Sequence, residues 1–174
     1  MRLFIGYFIP DEVAKYIHSV EQELSNQNIS AKYTHHKNLH LTFKFLGETR
    51  EDTAAEIGNI LSSYKGLDME FTLDRISWFE RGANSILFME LSGDAGPLCK
   101  KVEMLNDDLE SLDFERDSRK FKAHITIGRK VKLDRIAKEK LKNIPIEPLK
   151  FTVDEFSLIE STLTKMGAVY KKSL

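Results

Sequence analysis

Two short stretches of this chain alternate in polarity with a period of two residues, and both carry a histidine followed two places later by a threonine. Residues 39–46 read Leu-His-Leu-Thr-Phe-Lys-Phe-Leu and run into Gly47, and residues 121–128 read Phe-Lys-Ala-His-Ile-Thr-Ile-Gly. Successive side chains of a strand point to opposite faces. Each stretch is therefore expected to form a strand with one face apolar, ready to be covered by helices. The other face carries a polar pair: His40 with Thr42, and His124 with Thr126. There are nine threonines among 174 residues, so two such matches among five histidines would arise by accident roughly 3% of the time. A lone strand histidine is more often a surface or hydrogen-bonded core residue. The matched pair reverses that expectation.

The rest of the chain alternates strands with helices. Residues 1–9 read as an opening strand, and Pro10-Asp11 starts a helix whose apolar stripe is Val13, Ile17, Val20 and Leu24. A second helix fits residues 51–64. Strands are expected around Phe71–Leu73, Ile76–Phe79 and Ser85–Leu91, with a turn at Arg81-Gly82-Ala83-Asn84. Leu98, Val102, Leu105, Leu109 and Leu112 step by four, three, four and three, the spacing of an amphipathic helix. A short helix over about 133–142 precedes strands near 149–153, 155–160 and 167–171. No linker or low-complexity stretch interrupts this order. It predicts one α+β domain over 1–174, built as two dependent lobes at about 1–80 and 81–174 that pack face to face.

Two histidines and two hydroxyls, one pair per lobe, suit in-line displacement at phosphorus. The attacking and leaving oxygens lie on opposite sides of the phosphate, so base and acid are wanted on opposite sides too. An imidazole titrates near pH ~6.5, so one ring can be neutral and the other protonated. Thr42 and Thr126 would donate to the non-bridging oxygens. This scheme calls for no metal and no cofactor: His-x-Thr is not a ligand spacing, and the single cysteine, Cys99, excludes a cysteine cluster.

The formal charge of −1 argues against coating long nucleic acid, yet leaves room for a small anion or an RNA end in a local basic cleft. The first ten residues lack the pattern of a signal peptide, and no run approaches the roughly 18 apolar residues of a membrane span. A cytoplasmic, monomeric protein with no membrane contact and no obligate protein partner is expected.

These motifs resemble the 2H phosphoesterases, a family defined by two His-x-Thr-x motifs. More narrowly, the chain is similar over nearly its whole length to the RNA 2′,3′-cyclic phosphodiesterases historically called 2′-5′ RNA ligases. The resemblance is carried by Met1–Gly6, Asn38–Gly47, His124–Arg129, Ser161-Thr162-Leu163, Gly167 and Tyr170. It implies a pseudo-symmetric α+β fold, a duplicated β-α-β-α-β unit whose antiparallel sheets flank a central cleft. It implies hydrolysis of a 2′,3′-cyclic phosphate on an RNA end or nucleotide to a 2′-phosphate. His40 would be the proton donor to the leaving oxygen and His124 the proton acceptor toward water. Two departures stand out: Lys32-Tyr33-Thr34-His35-His36 replaces an Arg-Trp pair and prolines usual before the first motif, and Gly128 replaces a small apolar residue.

Around this pair, simple alternation puts Lys44 on the face of His40 as local positive charge, and turns Arg129 away from His124 unless Gly128 kinks the strand. Arg129 reads equally as a phosphate grip and as a structural partner. Phe45, Tyr33 and Trp78 are candidates for stacking on a base, with core packing as the plainer alternative. His18, His35 and His36 read as bland. Two other readings remain open: a 2′-5′ oligonucleotide phosphodiesterase or ligase, or hydrolase of small cyclic phosphates, using the same histidines, and an RNA-end binding module without turnover.

Overall fold

The computed structural model describes residues 1–173. In chain order the strands are β1 (Arg2–Phe8), β2 (Lys32–Tyr33), β3 (His40–Glu48), β4 (Lys65–Arg81), β5 (Asn84–Gly93), β6 (His124–Val131), β7 (Leu149–Glu155), β8 (Ser157–Thr164) and β9 (Gly167–Lys172). The helices are α1 (Asp11–Asn26), α2 (Glu51–Leu61), α3 (Ala95–Glu110) and α4 (Arg135–Asn143). The helix α1 starts after Pro10, whose φ of −57° is already helical, and Asp11 and Glu12 in its first turn complement the positive end of the helix dipole. Its stripe Val13, Ile17, Val20 and Leu24 is buried, as are Leu98, Val102, Leu105 and Leu109 of α3. The second helix is shorter than its pattern, because Ser62–Tyr64 tighten into a 3₁₀ turn.

Two sheets result, with strand orders β3-β1-β8-β9 and β2-β6-β5-β4-β7. Every pairing is antiparallel. Setting aside the two-residue β2, the orders match position for position. A His-Thr strand (β3 or β6) lies beside the strand from which a helix led to it (β1 by α1, β5 by α3), and two further strands follow. This is the duplicated α+β plan. The chain does not divide between the sheets near residue 80, however. β4 and β5 form one hairpin across that point, and β8 and β9 return to pair with β1. The first sheet is thus made from both ends of the chain.

β4 also replaces two expected strands with one of 17 residues. Its register slips at Asp74, since Leu73 pairs with Leu91 while Arg75 pairs with Glu90. The slip moves the buried positions from Phe71 and Leu73 to Ile76, which breaks the two-residue period without breaking the strand.

Leu3, Ile5, Leu41 and Phe43 of one sheet and Leu73, Leu87, Ile125 and Ile127 of the other join the helices in one continuous core. Phe4, Phe88 and Ile159 are equally buried but stand apart from that core, on the opposite faces of the sheets. Among the described residues no helix is long and apolar enough to cross a membrane.

Candidate active site

Both His-Thr strands carry a bulge at the same place. In β3, Gly6 pairs with Thr42 and Ile5 with Lys44, so Phe43 is extra. In β6, Phe88 pairs with Thr126 and Leu87 with Gly128, so Ile127 is extra. One inserted residue exchanges the two faces for the residues that directly follow it. Lys44 and Gly128 consequently turn to the core side, and Phe45 and Arg129 turn to the side of His40 and His124.

This corrects the placement of Lys44. Its side chain is only 3% exposed, lies 3.2 Å from Asp117 Oδ2 and donates to the Glu115 carbonyl. It fastens the loop ahead of β6 rather than charging the surroundings of His40. Phe45 takes the place alternation had given to Lys44: it is 72% exposed, with its ring 6.2 Å from that of Phe4. The positive charge of Arg129 pushes the pKa of His40 and of His124 down alike. Glycine suits position 128 because a Cβ there would sit 3.0 Å from the Ala31 Cβ and 3.4 Å from the Tyr33 ring.

The two histidines are held in the same way. His40 Nδ1 lies 2.6 Å from the Asn38 carbonyl, and His124 Nδ1 lies 2.7 Å from the Lys122 carbonyl, each two residues upstream. A carbonyl only accepts, so each Nδ1 carries a proton and donates it. Nε2 is then the nitrogen available for chemistry in each ring, as a lone pair when the ring is neutral and as a donor when it is charged. The Asn38 amide donates to the Ala168 carbonyl at 2.7 Å, which ties the bracing residue to β9.

Aromatic rings wall both imidazoles. Phe4 and Tyr170 stand 4.9 and 5.0 Å from His40 between ring centres, and Phe79 and Phe88 both stand 5.4 Å from His124. β3 and β6 belong to different sheets yet approach within 8 Å between Cα atoms. Burial pushes the His40 pKa below its ordinary 6.5, and the charges of Arg129 and His124 push it the same way. Burial likewise lowers His124, helped by the charges of Lys122 and Arg129. The carbonyl hydrogen bonds oppose both shifts. A bound anion would also oppose them, since negative charge favours the imidazolium. Thr42 and Thr126 are half-buried on their strands beside the histidines.

Other candidates stand elsewhere. Tyr33 packs on the core and donates to the Ile29 carbonyl at 2.7 Å, and Trp78 packs on the core side of β4. The rings of His35 and His36 lie 4.6 Å apart, tilted by 30°, in the approach to β3, and His18 pairs with Glu21 on α1. The sequence reading missed Phe4, Tyr170, Phe79 and Phe88 as neighbours of the imidazoles, and it missed Arg75 and Glu90. Cross-strand pairing puts Glu90 opposite His124 and Arg75 opposite Glu90. The apolar signal for Phe4 and Phe88 was present, but an apolar residue on the supposedly polar face was indistinguishable from core. Among the described residues no group of three or more His, Cys, Asp or Glu is placed to hold a metal ion.

A family model described as the 2′-5′ RNA ligase superfamily matches residues 9–164. The chain belongs to that superfamily. A protein of Thermotoga maritima named RNA 2′,3′-cyclic phosphodiesterase is 33% identical over 174 residues, covering 98% of this chain and 92% of its own length. One of the same name from Archaeoglobus fulgidus is 28% identical over 173 residues, covering 98% and 97%. Among solved structures, E. coli LigT in apo form has the same fold, with a TM-score of 0.79 at 20% identity over 99% of this chain and 94% of that one. LigT is also known complexed with phosphate and with 3′-AMP.

Proposed function

We propose that this superfamily member hydrolyses the 2′,3′-cyclic phosphate at RNA ends to a 2′-phosphate, using His40 and His124 and no metal. The reading is carried by one observation: imidazoles from two separate sheets, on strands that approach within 8 Å between Cα atoms, are oriented by the same brace. The relatives' shared name supports the substrate class.

In this scheme water attacks phosphorus as its proton passes to the His124 Nε2 lone pair. The bond from phosphorus to O3′ breaks on the far side, and His40 Nε2–H gives O3′ its proton. The products are a 2′-phosphate and a free 3′-hydroxyl. Arg129, Thr42 and Thr126 stabilise charge on the non-bridging oxygens. Because burial disfavours both imidazolium forms, His40 recovers its proton most readily when the anionic phosphate is bound.

The test is product analysis on an oligoribonucleotide ended by a 2′,3′-cyclic phosphate, with chelator present. A 2′-phosphate product supports the scheme. A 3′-phosphate product, or activity that vanishes with chelator and returns with a divalent ion, rejects it.

A further inference from the structure

The face of the second sheet that carries His124 continues past the reacting phosphate as a connected row of charge. Glu90 is the cross-strand partner of His124, and Arg75 is the cross-strand partner of Glu90. Cross-strand partners share a face, so all three point into the cleft. Glu90 is held from both sides: Arg75 Nε lies 2.8 Å from one carboxylate oxygen and Lys122 Nζ 3.0 Å from the other. Lys122 Nζ also stands 5.1 Å from the centre of the Phe88 ring, and that ring is 5.4 Å from the His124 ring. The positive charge of Lys122 is felt at His124.

Two cations share one carboxylate here, so the cluster carries net positive charge. The carboxylate is the sheltered member, 20% exposed, while Arg75 is 70% and Lys122 54% exposed. Glu90 orients two long side chains whose remaining N–H donors face solvent. Arg75 lies two strands from His124, or about 10 Å at the usual strand spacing. Donors presented at that remove from the reactive centre suit a second phosphate rather than the one undergoing reaction.

Resting on the function proposed above, we infer that Arg75 and Lys122, oriented by Glu90, bind the phosphodiester on the 5′ side of the terminal nucleotide. The site thereby selects an RNA strand with a cyclic end over a free cyclic nucleotide. Phosphate contacts of this kind fix register without reading bases. Each is salt-dependent, because neutralising a phosphate releases a condensed counterion.

The experiment compares three substrates: a nucleoside 2′,3′-cyclic phosphate with a 5′-hydroxyl, its 5′-phosphorylated form, and a trinucleotide ended by the cyclic phosphate. Arg75→Ala is the variant, with Lys122→Gln beside it. Arg75 is exposed, so its removal leaves the fold intact, which an unchanged melting temperature checks. The expected result is KM for the trinucleotide raised about tenfold in Arg75→Ala, with kcat unchanged and a salt slope of log(kcat/KM) shallower by about one. KM for the 5′-hydroxyl nucleoside cyclic phosphate stays at its wild-type value. An equal change on all three substrates, or none, overturns the inference. A change confined to the 5′-phosphorylated mononucleotide and absent from the trinucleotide overturns it as well, assigning the cluster to small nucleotides. Failure of the wild type to open any of the three refutes the proposed function instead.

Discussion

β3 and β6 share a histidine, a threonine, a brace to the carbonyl two residues upstream and a bulge at the same step, yet they deliver different chemistry after the bulge. In β3 the residues that follow are Lys44 and Phe45, and in β6 they are Gly128 and Arg129. One strand sends a cation inward and an aromatic ring outward. The other sends a hydrogen atom inward and a cation outward. The cleft is therefore lined unequally. The His40 wall presents Phe4, Tyr170 and Phe45, and the His124 wall adds Arg129, Lys122 and Arg75 to its rings. Duplicated geometry fixes where the two imidazoles sit, and the divergence after the bulge separates an apolar wall, suited to a nucleobase, from a charged wall, suited to phosphates.

The strongest attempt to break this comparison removes what the walls share. His40→Ala and His124→Ala should each lower kcat/KM by roughly 10²–10⁴-fold, and the double variant should cost little more than either single one, because the two act as a unit. Steady-state rates on a nucleoside 2′,3′-cyclic phosphate check this, and a variant retaining full turnover removes its histidine from the mechanism. Next is the charged wall: Arg129→Ala should lower kcat by about 10²-fold. The same variant sharpens the pH behaviour. Both imidazoles titrate below 6.5 in the free protein, so the bell of kcat/KM should centre on the acid side of that value. Removing the Arg129 charge relieves both rings, so the bell should move to higher pH. A profile that stays in place would show that Arg129 does not act on them.

The apolar wall is tested more gently. A base stacked on an aromatic side chain gains about 1–3 kcal/mol, so Phe45→Ala should raise KM by about tenfold while kcat holds. Equal losses in Phe45→Ala and Phe45→Leu are expected if stacking is the cause, and a KM unmoved by either assigns the ring to no ligand. The smallest effect on turnover belongs to the inward residues. Gly128→Val presses a branched side chain against Ala31 and should lower stability by about 1–3 kcal/mol. Lys44→Met keeps the stem in the core but releases the loop at Glu115 and Asp117, and should lower stability by about 1 kcal/mol. Denaturant midpoints measure both, and a Gly128→Val protein as stable as the wild type would mean that β2 has room to move.

The His-Thr pairs were legible because a two-residue period survives from Leu39 to Thr42 and from Ala123 to Thr126. Beyond those threonines the same rule misplaced Lys44 and Phe45. A bulge costs one residue of phase and leaves no mark in composition: Phe43 and Ile127 look like ordinary members of an apolar row. The phase shift in β4 did leave a mark, and was read as two strands because the buried parity changes at Asp74. The lobe boundary was illegible for another reason. Pairing of Leu3 with Glu160 is a contact between residues distant in sequence, and local patterns say nothing about which distant strand will be the neighbour.

That pairing has a consequence for how the protein comes to exist. β1 is made before β3, which pairs with one of its edges, but its other edge must wait for β8. Until then its unpaired amides are open to misplaced strand addition, a hazard of long-range topologies. Tyr170 and the Ala168 carbonyl that anchors Asn38 arrive on the same late hairpin. The wall around His40 is thus completed only once residue 170 has been made, and a chain that stops at β7 lacks one side of the cleft around that ring.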